Sequence, residues 1–176
     1  MRRPIQHIVL LRLCTAVLVA ALIAGCGYQF AGGGAFPYGI QTIAVEVLNN
    51  RTSEVGLENT VTDDLIFELT RSGQVKVTEP ESADAVLKGS IEKLAIRSVS
   101  RSGILTSKAE RVFMFVDLQL VGADGRVLWR GSGIEEDEAY QVADDKLATE
   151  ASRRRAIQDL SRRLAQKVYN RITADF

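Results

Sequence analysis

The stretch VFMFVDLQL, residues 112–120, decides the fold of this chain. Apolar side chains occupy every second position, and those on one face are Val112, Met114, Val116, Leu118 and Leu120. A period of two predicts a β-strand that packs one face on a core. Ala123-Asp124-Gly125 follows with the residue types of a hairpin turn, so a second antiparallel strand is predicted over residues 126–135.

The residues before this strand extend the antiparallel meander. One face of the strand that begins at Ala85 consists of Ala85, Leu87, Gly89 and Ile91. The phase of the pattern shifts at Glu92-Lys93, which predicts a β-bulge. Residues 99–109, VSRSGILTSKA, are polar around Gly103 and predict the loop that joins the two strands.

Further upstream, a strand, a helix and a strand are predicted. Residues 41–48, QTIAVEVL, alternate and are β-branched, and residues 49–52 interrupt that strand. Residues 74–78, QVKVT, predict a second, short strand. A strand, a helix and a strand within about 40 residues predict a right-handed parallel crossover unit.

The helix of this unit is predicted over residues 55–71. Thr52 or Ser53 can serve as its N-cap, and Ser72-Gly73 ends it. Its apolar stripe, at four-residue steps, is formed by Leu57, Val61, Leu65 and Leu69.

A second helix is predicted over residues 146–172. Its apolar stripe consists of Ile157, Leu160, Leu164, Val168 and Ile172. Its other face is basic and carries Arg153, Arg154, Arg155, Arg162, Arg163, Lys167 and Arg171. Two interpretations of that face stay open: a solvated face paired with Glu150, Asp159 and the acidic run of residues 135–145, or a surface for an anionic partner such as a phosphorylated lipid.

The element order β-α-β-β-β-β-α predicts an α+β fold. We expect a two-layer sandwich in which both helices pack on one face of a mixed sheet of four to five strands. Residues 41–176 are predicted to form a single α/β domain.

Residues 1–25 are typical of a signal peptide that is removed. Arg2, Arg3 and Arg12 precede an apolar run, and Gly25-Cys26 follows. Residues 23–26, Ile-Ala-Gly-Cys, resemble the bacterial lipobox, with Ile in place of the usual Leu. The resemblance implies cleavage before Cys26, S-diacylglycerol on its sulfur and a further N-acyl chain such as palmitate; an ordinary signal peptide is the alternative.

The position after the lipidated cysteine predicts the compartment. Gly27 stands where an Asp would favour retention in the inner membrane. By resemblance to that sorting rule, the protein is expected on the outer membrane of a Gram-negative cell, facing the periplasm.

Division of the chain at Cys26 changes what its composition excludes. The whole chain has 22 basic and 22 acidic residues, and residues 1–25 contain three arginines and no acid. The remaining chain therefore carries 19 basic residues, 22 acidic residues and a formal charge of −3, which argues against nucleic-acid binding. His7 and Cys14 leave with the signal peptide, and the expected lipid occupies the sulfur of Cys26. Catalysis by His or Cys and zinc sites of Cys and His are therefore excluded.

Residues 26–40 are predicted to be a lipidated tether rich in glycine. They also contain four aromatic residues, Tyr28, Phe30, Phe36 and Tyr38. A passive spacer is normally polar, so three alternatives stay open: these rings pack on the domain, lie at the membrane interface or dock on a partner.

No catalytic, metal or cofactor site is predicted from the remaining motifs. The acidic run Glu135-Glu136-Asp137-Glu138 lacks the alternating ligands around a Gly that calcium loops need, so a solvated strand end is expected. Gly131-Ser132-Gly133 lacks the strand-to-helix setting of a phosphate loop, and an enzyme is not expected.

Several segments together resemble the LptE family of lipopolysaccharide-assembly lipoproteins. They are, in order, residues 26–30 (CGYQF), 43–45 (IAV), 50–58 (NRTSEVGLE), 83–89 (ADAVLKG) and the arginine-rich last helix. The resemblance implies a non-enzymatic protein inside the lumen of the LptD β-barrel, where it plugs the barrel, helps it to assemble and binds lipopolysaccharide.

The same resemblance implies a lipid-binding role for basic residues in loops at one end of the sheet. The matching positions are Arg101 and Lys146, and Lys108 is a further candidate by charge alone. Each of the three is otherwise an ordinary exposed cation. A different function also stays open, that of an outer-membrane lipoprotein that activates a periplasmic cell-wall synthase through a similar domain.

Overall fold

The computed structural model describes residues 36–99 and 109–174. Their strands and α-helices are β1 (Thr42–Val45), β2 (Asn49–Asn50), α1 (Leu57–Ser72), β3 (Lys76–Val77), β4 (Ala85–Val99), β5 (Ala109–Gly122), β6 (Val127–Gln141) and α2 (Lys146–Ala174). Short 3-10 turns at Pro37–Gly39 and Pro80–Ser82 precede β1 and β4.

The strands form one mixed sheet in the order β3-β1-β4-β5-β6, and β2 lies beside β4. β1 is parallel to both β3 and β4, whereas β5 is antiparallel to both β4 and β6. The helices contact each other, with the Ser161 hydroxyl of α2 3.5 Å from the Thr60 carbonyl of α1. The predicted α+β class is confirmed, and the described sheet has six strands because the dipeptide β2 adds one.

The parallel pairing of the predicted crossover unit is confirmed, with one correction. β1 and β3 pair in parallel through Thr42 with Lys76 and Ile43 with Val77, on either side of α1. The prediction that residues 49–52 only interrupt a strand is wrong, because Asn49 and Asn50 form β2 beside β4. The chain stays on the sheet there because the Arg51 N–H donates to the Ile91 carbonyl at 3.0 Å.

The start of α1 differs from its prediction. The helix begins at Leu57, and its N-cap is Gly56 with a φ of 83°, so neither Thr52 nor Ser53 caps it. The Thr52 hydroxyl instead donates to Asn50 Oδ1 at 2.8 Å and belongs to the turn before the helix. The predicted end is confirmed, since Gly73 has a φ of 65° and terminates α1.

The meander also follows the prediction, apart from two strand lengths: β5 already begins at Ala109, within the predicted loop, and the last strand is longer. The register of β4 and β5 shifts between Ile91 and Lys93, where the bulge was predicted. β6 ends at Gln141, well beyond the predicted residue 135. The strand continues because Tyr140 is buried in the core and its neighbours still pair with β5.

The core lies between the sheet and the helices and contains all three predicted apolar sets. These are the stripe of α1, the stripe of α2 and the alternating face of β5. Phe36 and Ile40 also belong to the core, although the sequence assigns both to the tether of residues 26–40. Of the alternatives for the tether aromatics, packing on the domain therefore holds for Phe36, whereas Tyr38 remains nearly half exposed.

In the described residues, 36–99 and 109–174, neither α1 nor α2 has the length and the apolar composition that a helix needs to cross a membrane.

Candidate functional site

Four elements begin or end at the same end of the sheet, which is here called the loop end. β4 ends there at Val99, β5 starts at Ala109, β6 ends at Gln141 and α2 starts at Lys146. Val99 pairs with Ala109, which also pairs with Gln141. The connection from β4 to β5 therefore starts and finishes at the same end of the sheet as Lys146.

Lys146 is the one predicted site residue that lies in the described part of the chain. It is exposed, and it makes no ion pair or side-chain hydrogen bond among residues 36–99 and 109–174. The preceding Asp145 caps α2, because its carboxylate accepts the Leu147 N–H at 3.2 Å and the Ala148 N–H at 3.0 Å. Cys26, Arg101 and Lys108 lie outside the described residues.

The segment NRTSEVGLE, residues 50–58, forms a hydrogen-bonded turn beside the middle of β4. The Asn50 amide donates to the Glu54 carbonyl at 2.8 Å and to Glu58 Oε2 at 2.7 Å. Its Oδ1 atom accepts the Thr52 N–H at 2.9 Å. Hydrogen bonds from the Glu58 backbone and the Asn50 amide hold the pKa of Glu58 below its ordinary value. One amide side chain thus fixes the whole turn.

Ion pairs join this turn to helix α2 on one side and to strand β4 on the other. Arg153 Nη1 of α2 lies 2.8 Å from Glu54 Oε2, and Arg51 Nη1 lies 3.0 Å from Glu92 Oε2 at the bulge of β4. The Glu54 hydrogen bond is the main reason that the pKa of Arg153 lies above its ordinary value. For Glu92, a hydrogen bond from Ser90 is the main cause of its lowered pKa. The turn is therefore tied both to α2 and to the middle of β4.

The segment ADAVLKG, residues 83–89, has a structural role in the described domain. The Asp84 carboxylate accepts the N–H groups of Gln41 at 2.9 Å and Thr42 at 2.8 Å, which fixes the start of β1 against β4. These two hydrogen bonds lower the pKa of Asp84. Gly89 has no room for a side chain, since a Cβ atom there would lie 2.0 Å from the Asp117 carbonyl oxygen.

The basic face of α2 is mostly paired with acids of the same chain. The bases that form these ion pairs are Arg153, Arg162, Arg163 and Lys167. Their partners come from α2 itself, from the turn of residues 50–58 and from the acidic run in β6. For these four side chains the first interpretation, a face paired with nearby acids, holds. Arg154, Arg155 and Arg171 make no such pair within the described residues.

The acidic run lies within β6 and does not form a metal site in the described part of the chain. Glu136 and Glu138 point toward α2 and pair with Arg163, and Asp137 pairs with Arg111 on the other face at 3.0 Å. Residues 36–99 and 109–174 contain no cluster of three or more His, Cys, Asp or Glu able to hold a metal.

Burial and a 2.5 Å hydrogen bond to Glu110 raise the pKa of Tyr140.

A comparison with protein-family models matches residues 40–172 to the lipopolysaccharide-assembly family LptE. That match covers three quarters of the chain. The chain belongs to the LptE family.

Solved structures with the same fold include two further lipoproteins. The solution structure of lipoprotein B from Nitrosomonas europaea has a TM-score of 0.56 and 14% identity, and the match covers 77% of this chain and 84% of that one. The minor lipoprotein of Acinetobacter baumannii has a TM-score of 0.50 and 18% identity, with coverage of 77% and 94%. No match to the chain was found among the curated proteins.

Two LptE-family segments that the sequence could only match by pattern now have physical roles. Asn50 acts as the hydrogen-bonding centre of one segment, and Asp84 fixes strand β1 in the other. An Asn two residues before a Thr is a signal for such a side-chain turn. The pairing of Glu54 with Arg153 had no local signal, because 99 positions separate the two residues.

Proposed function

We propose that this LptE-family protein is a non-enzymatic outer-membrane lipoprotein that is anchored through acylated Cys26. It plugs an LptD-like β-barrel, helps that barrel to assemble and binds lipopolysaccharide on its way to the cell surface. The family match supports the general role in lipopolysaccharide assembly. The arrangement of the loop end supports the position of the lipid site, and this observation carries the proposal.

The lipid site consists of Arg101, Lys108 and Lys146. Val99 and Ala109, which bound the segment that contains Arg101 and Lys108, pair at the end of the sheet where Lys146 opens α2. The Lys146 ammonium is exposed and has no acidic partner in the described residues. Lipid A phosphates are dianionic acceptors, and exposed cations can bind them without the cost of desolvating a buried charge.

A charge-reversal pair tests the lipid site. Arg101→Glu with Lys146→Glu is expected to weaken lipopolysaccharide binding about tenfold or more, since two attractive contacts become repulsive. Binding is measured with purified, fluorescently labelled lipopolysaccharide. The matched control is Lys76→Glu with Arg171→Glu, two exposed cations at the opposite end of the sheet and of α2. Equal affinity in both double variants would remove the assignment of Arg101 and Lys146.

Detergent extraction and affinity purification test the barrel partner. We expect a large β-barrel protein to co-purify with the lipidated chain, and to do so equally with the two charge-reversal pairs. Recovery of a monodisperse protein without a barrel would contradict the plug function. Crosslinking to a penicillin-binding protein in the same cells would instead favour an activator of a cell-wall synthase.

A further inference from the structure

The outer edge of β6 is covered by α2 over part of its length. A strand at the edge of a sheet presents unpaired backbone groups to its surroundings. Lys167 Nζ donates to the Glu135 carbonyl at 2.6 Å, and the Arg163 guanidinium donates to the Asp137 carbonyl. Two basic side chains of the helix thus occupy two successive outward carbonyls.

The cover ends before the last outward groups of the strand. In an antiparallel strand, backbone groups of alternate residues point to the same side. Because the carbonyls of Glu135 and Asp137 point outward, the N–H and C=O groups of Ala139 and Gln141 do so too. Both residues are exposed, and β6 is the terminal strand of the described sheet.

The sequence of α2 explains why the cover ends there. Four residues of a helix rise about 6 Å, and two residues of a strand rise about 6.6 Å, so the two elements stay in step. Steps of four residues toward the start of α2 lead from Lys167 to Arg163 and then to Asp159. A carboxylate cannot donate to the Ala139 carbonyl, and Asp159 pairs with Arg162 instead.

A groove lies between this open edge and α2. Its volume is about 190 Å³, and its helix side is formed by Ser152, Arg155, Ala156 and Asp159. Arg155 is exposed and has no acidic partner within the described residues. The groove also contains the carboxylates of Glu138 and Asp159, but these are paired with Arg163 and Arg162. Backbone donors and acceptors therefore line one wall, and Arg155 is the charge on the other wall that has no ion pair within the described residues.

We propose that the edge of β6 at Ala139 and Gln141 binds an extended segment of the barrel partner by β-augmentation. An acidic side chain of that segment pairs with Arg155. This inference rests on the proposed function and adds the partner segment to it. The strands of a closed barrel have no free edge, so the segment is a loop that enters the lumen.

A proline substitution tests the edge with little effect on the fold. Ala139→Pro removes an N–H that points away from β5, and proline is tolerated at such edge positions. The variant is expected to lower recovery of the barrel in the affinity purification about tenfold, because a hydrogen bond of the added strand is lost and the ring obstructs that strand.

The control is proline at the equivalent position of the opposite edge. Ser98 of β4 is paired with Glu110, which is itself opposite Tyr140, so the Ser98 N–H also points away from β5. Ser98→Pro is expected to leave barrel recovery unchanged. Circular dichroism shows whether Ala139→Pro folds. If it does not, the same purification is carried out with Arg155→Glu, and Arg171→Glu is then the control.

Amide hydrogen exchange of the purified complex gives a second measurement. The amides of Ala139 and Gln141 are expected to exchange rapidly in the free protein and at least tenfold more slowly in the complex. Normal barrel recovery with Ala139→Pro, or unchanged exchange in the complex, would overturn the inference and leave the proposed function intact. Protection that depends on concentration without the barrel would identify a second copy as the occupant and would also overturn it. Absence of a barrel with the unmodified chain contradicts the proposed function itself.

Discussion

Arg153 Nη1 of α2 lies 2.8 Å from Glu54 Oε2 of the turn before α1, and this pair joins two segments that are 99 positions apart. Both side chains are mostly buried, with 18% and 28% of their surfaces exposed. Arg153 also pairs with Glu150 at 3.1 Å on its own helix. The guanidinium thus links the first turns of α2 to the turn that precedes α1.

A double-mutant cycle should detect this coupling. Arg153→Met and Glu54→Gln are each expected to lower the free energy of unfolding, and the pair should show a coupling energy of about 1 kcal/mol. Urea unfolding, followed by circular dichroism, measures all four proteins. As a control, the exposed pair of Arg162 and Asp159 should couple by less than about 0.5 kcal/mol. Additive effects at Arg153 and Glu54 would show that their contact does not stabilise the fold.

Asp84 should contribute to the loss of stability in acid. Its pKa is lowered in the folded state, chiefly by the N–H groups of Gln41 and Thr42. The stabilisation it gives is therefore complete above its unfolded pKa of about 3.9 and is lost as the pH falls through the folded value. Asp84→Asn should reduce the drop in urea midpoint between about pH 5 and pH 2. Asp63→Asn is the control, since Asp63 accepts no side-chain hydrogen bond among the described residues; an equal effect of both variants would contradict the assignment.

Gly89 should be intolerant of any side chain. A Cβ atom would meet the backbone oxygen of Asp117 at 2.0 Å, and backbone in the centre of the sheet cannot move aside cheaply. Gly89→Ala is expected to destabilise the protein by about 3 kcal/mol. Gly125→Ala, in an open turn with a φ of 80°, should cost only about 1 kcal/mol from backbone strain. Thermal unfolding compares the two, and the reverse order would disprove the steric explanation.

Two leucines of α2 offer a matched test of the core. Leu164 is fully buried, whereas Leu147 is 80% exposed near the loop end. Leu164→Ala should lower the free energy of unfolding by about 3 kcal/mol, since it removes apolar contacts and leaves a cavity. Leu147→Ala should change it by less than about 0.5 kcal/mol. Similar losses in urea unfolding would contradict the packing of α2 against the sheet.

The periodic elements of this fold could be predicted from the sequence because their signals are local. The alternation of Val112 to Leu120 and the phase shift at Glu92-Lys93 correspond to strand β5 and to the bulge of β4. The steps of three and four residues between the apolar positions of α1 and α2 likewise predict their buried stripes. In each case an element that buries one face needs apolar residues at the repeat of its own geometry, and the sequence shows that repeat.

Features that depend on distant partners could not be predicted. Asn49 and Asn50 have low strand propensity, yet they pair with β4 because the chain has already been placed beside it by β1. The cap residue at Gly56 was missed because Thr52, a better N-cap by type, is engaged by Asn50. For the candidate site, the sequence predicted Lys146 at the start of a helix, but only the pairing of Ala109 with Val99 and Gln141 relates it to the β4–β5 connection.

The pairing of Val99 with Ala109 has a consequence for how such a protein can diverge. Because β4 and β5 are already joined by their ladder at that point, the free-energy cost of a longer connection between them grows slowly, by about 0.6 kcal/mol for each doubling of its length. Insertions and deletions in that connection are therefore expected to leave the pairing of β4 with β5 in place. A few codon changes can thus alter the length and the charge of that connection, which contains two residues of the proposed lipid site, without changes to the strands that flank it.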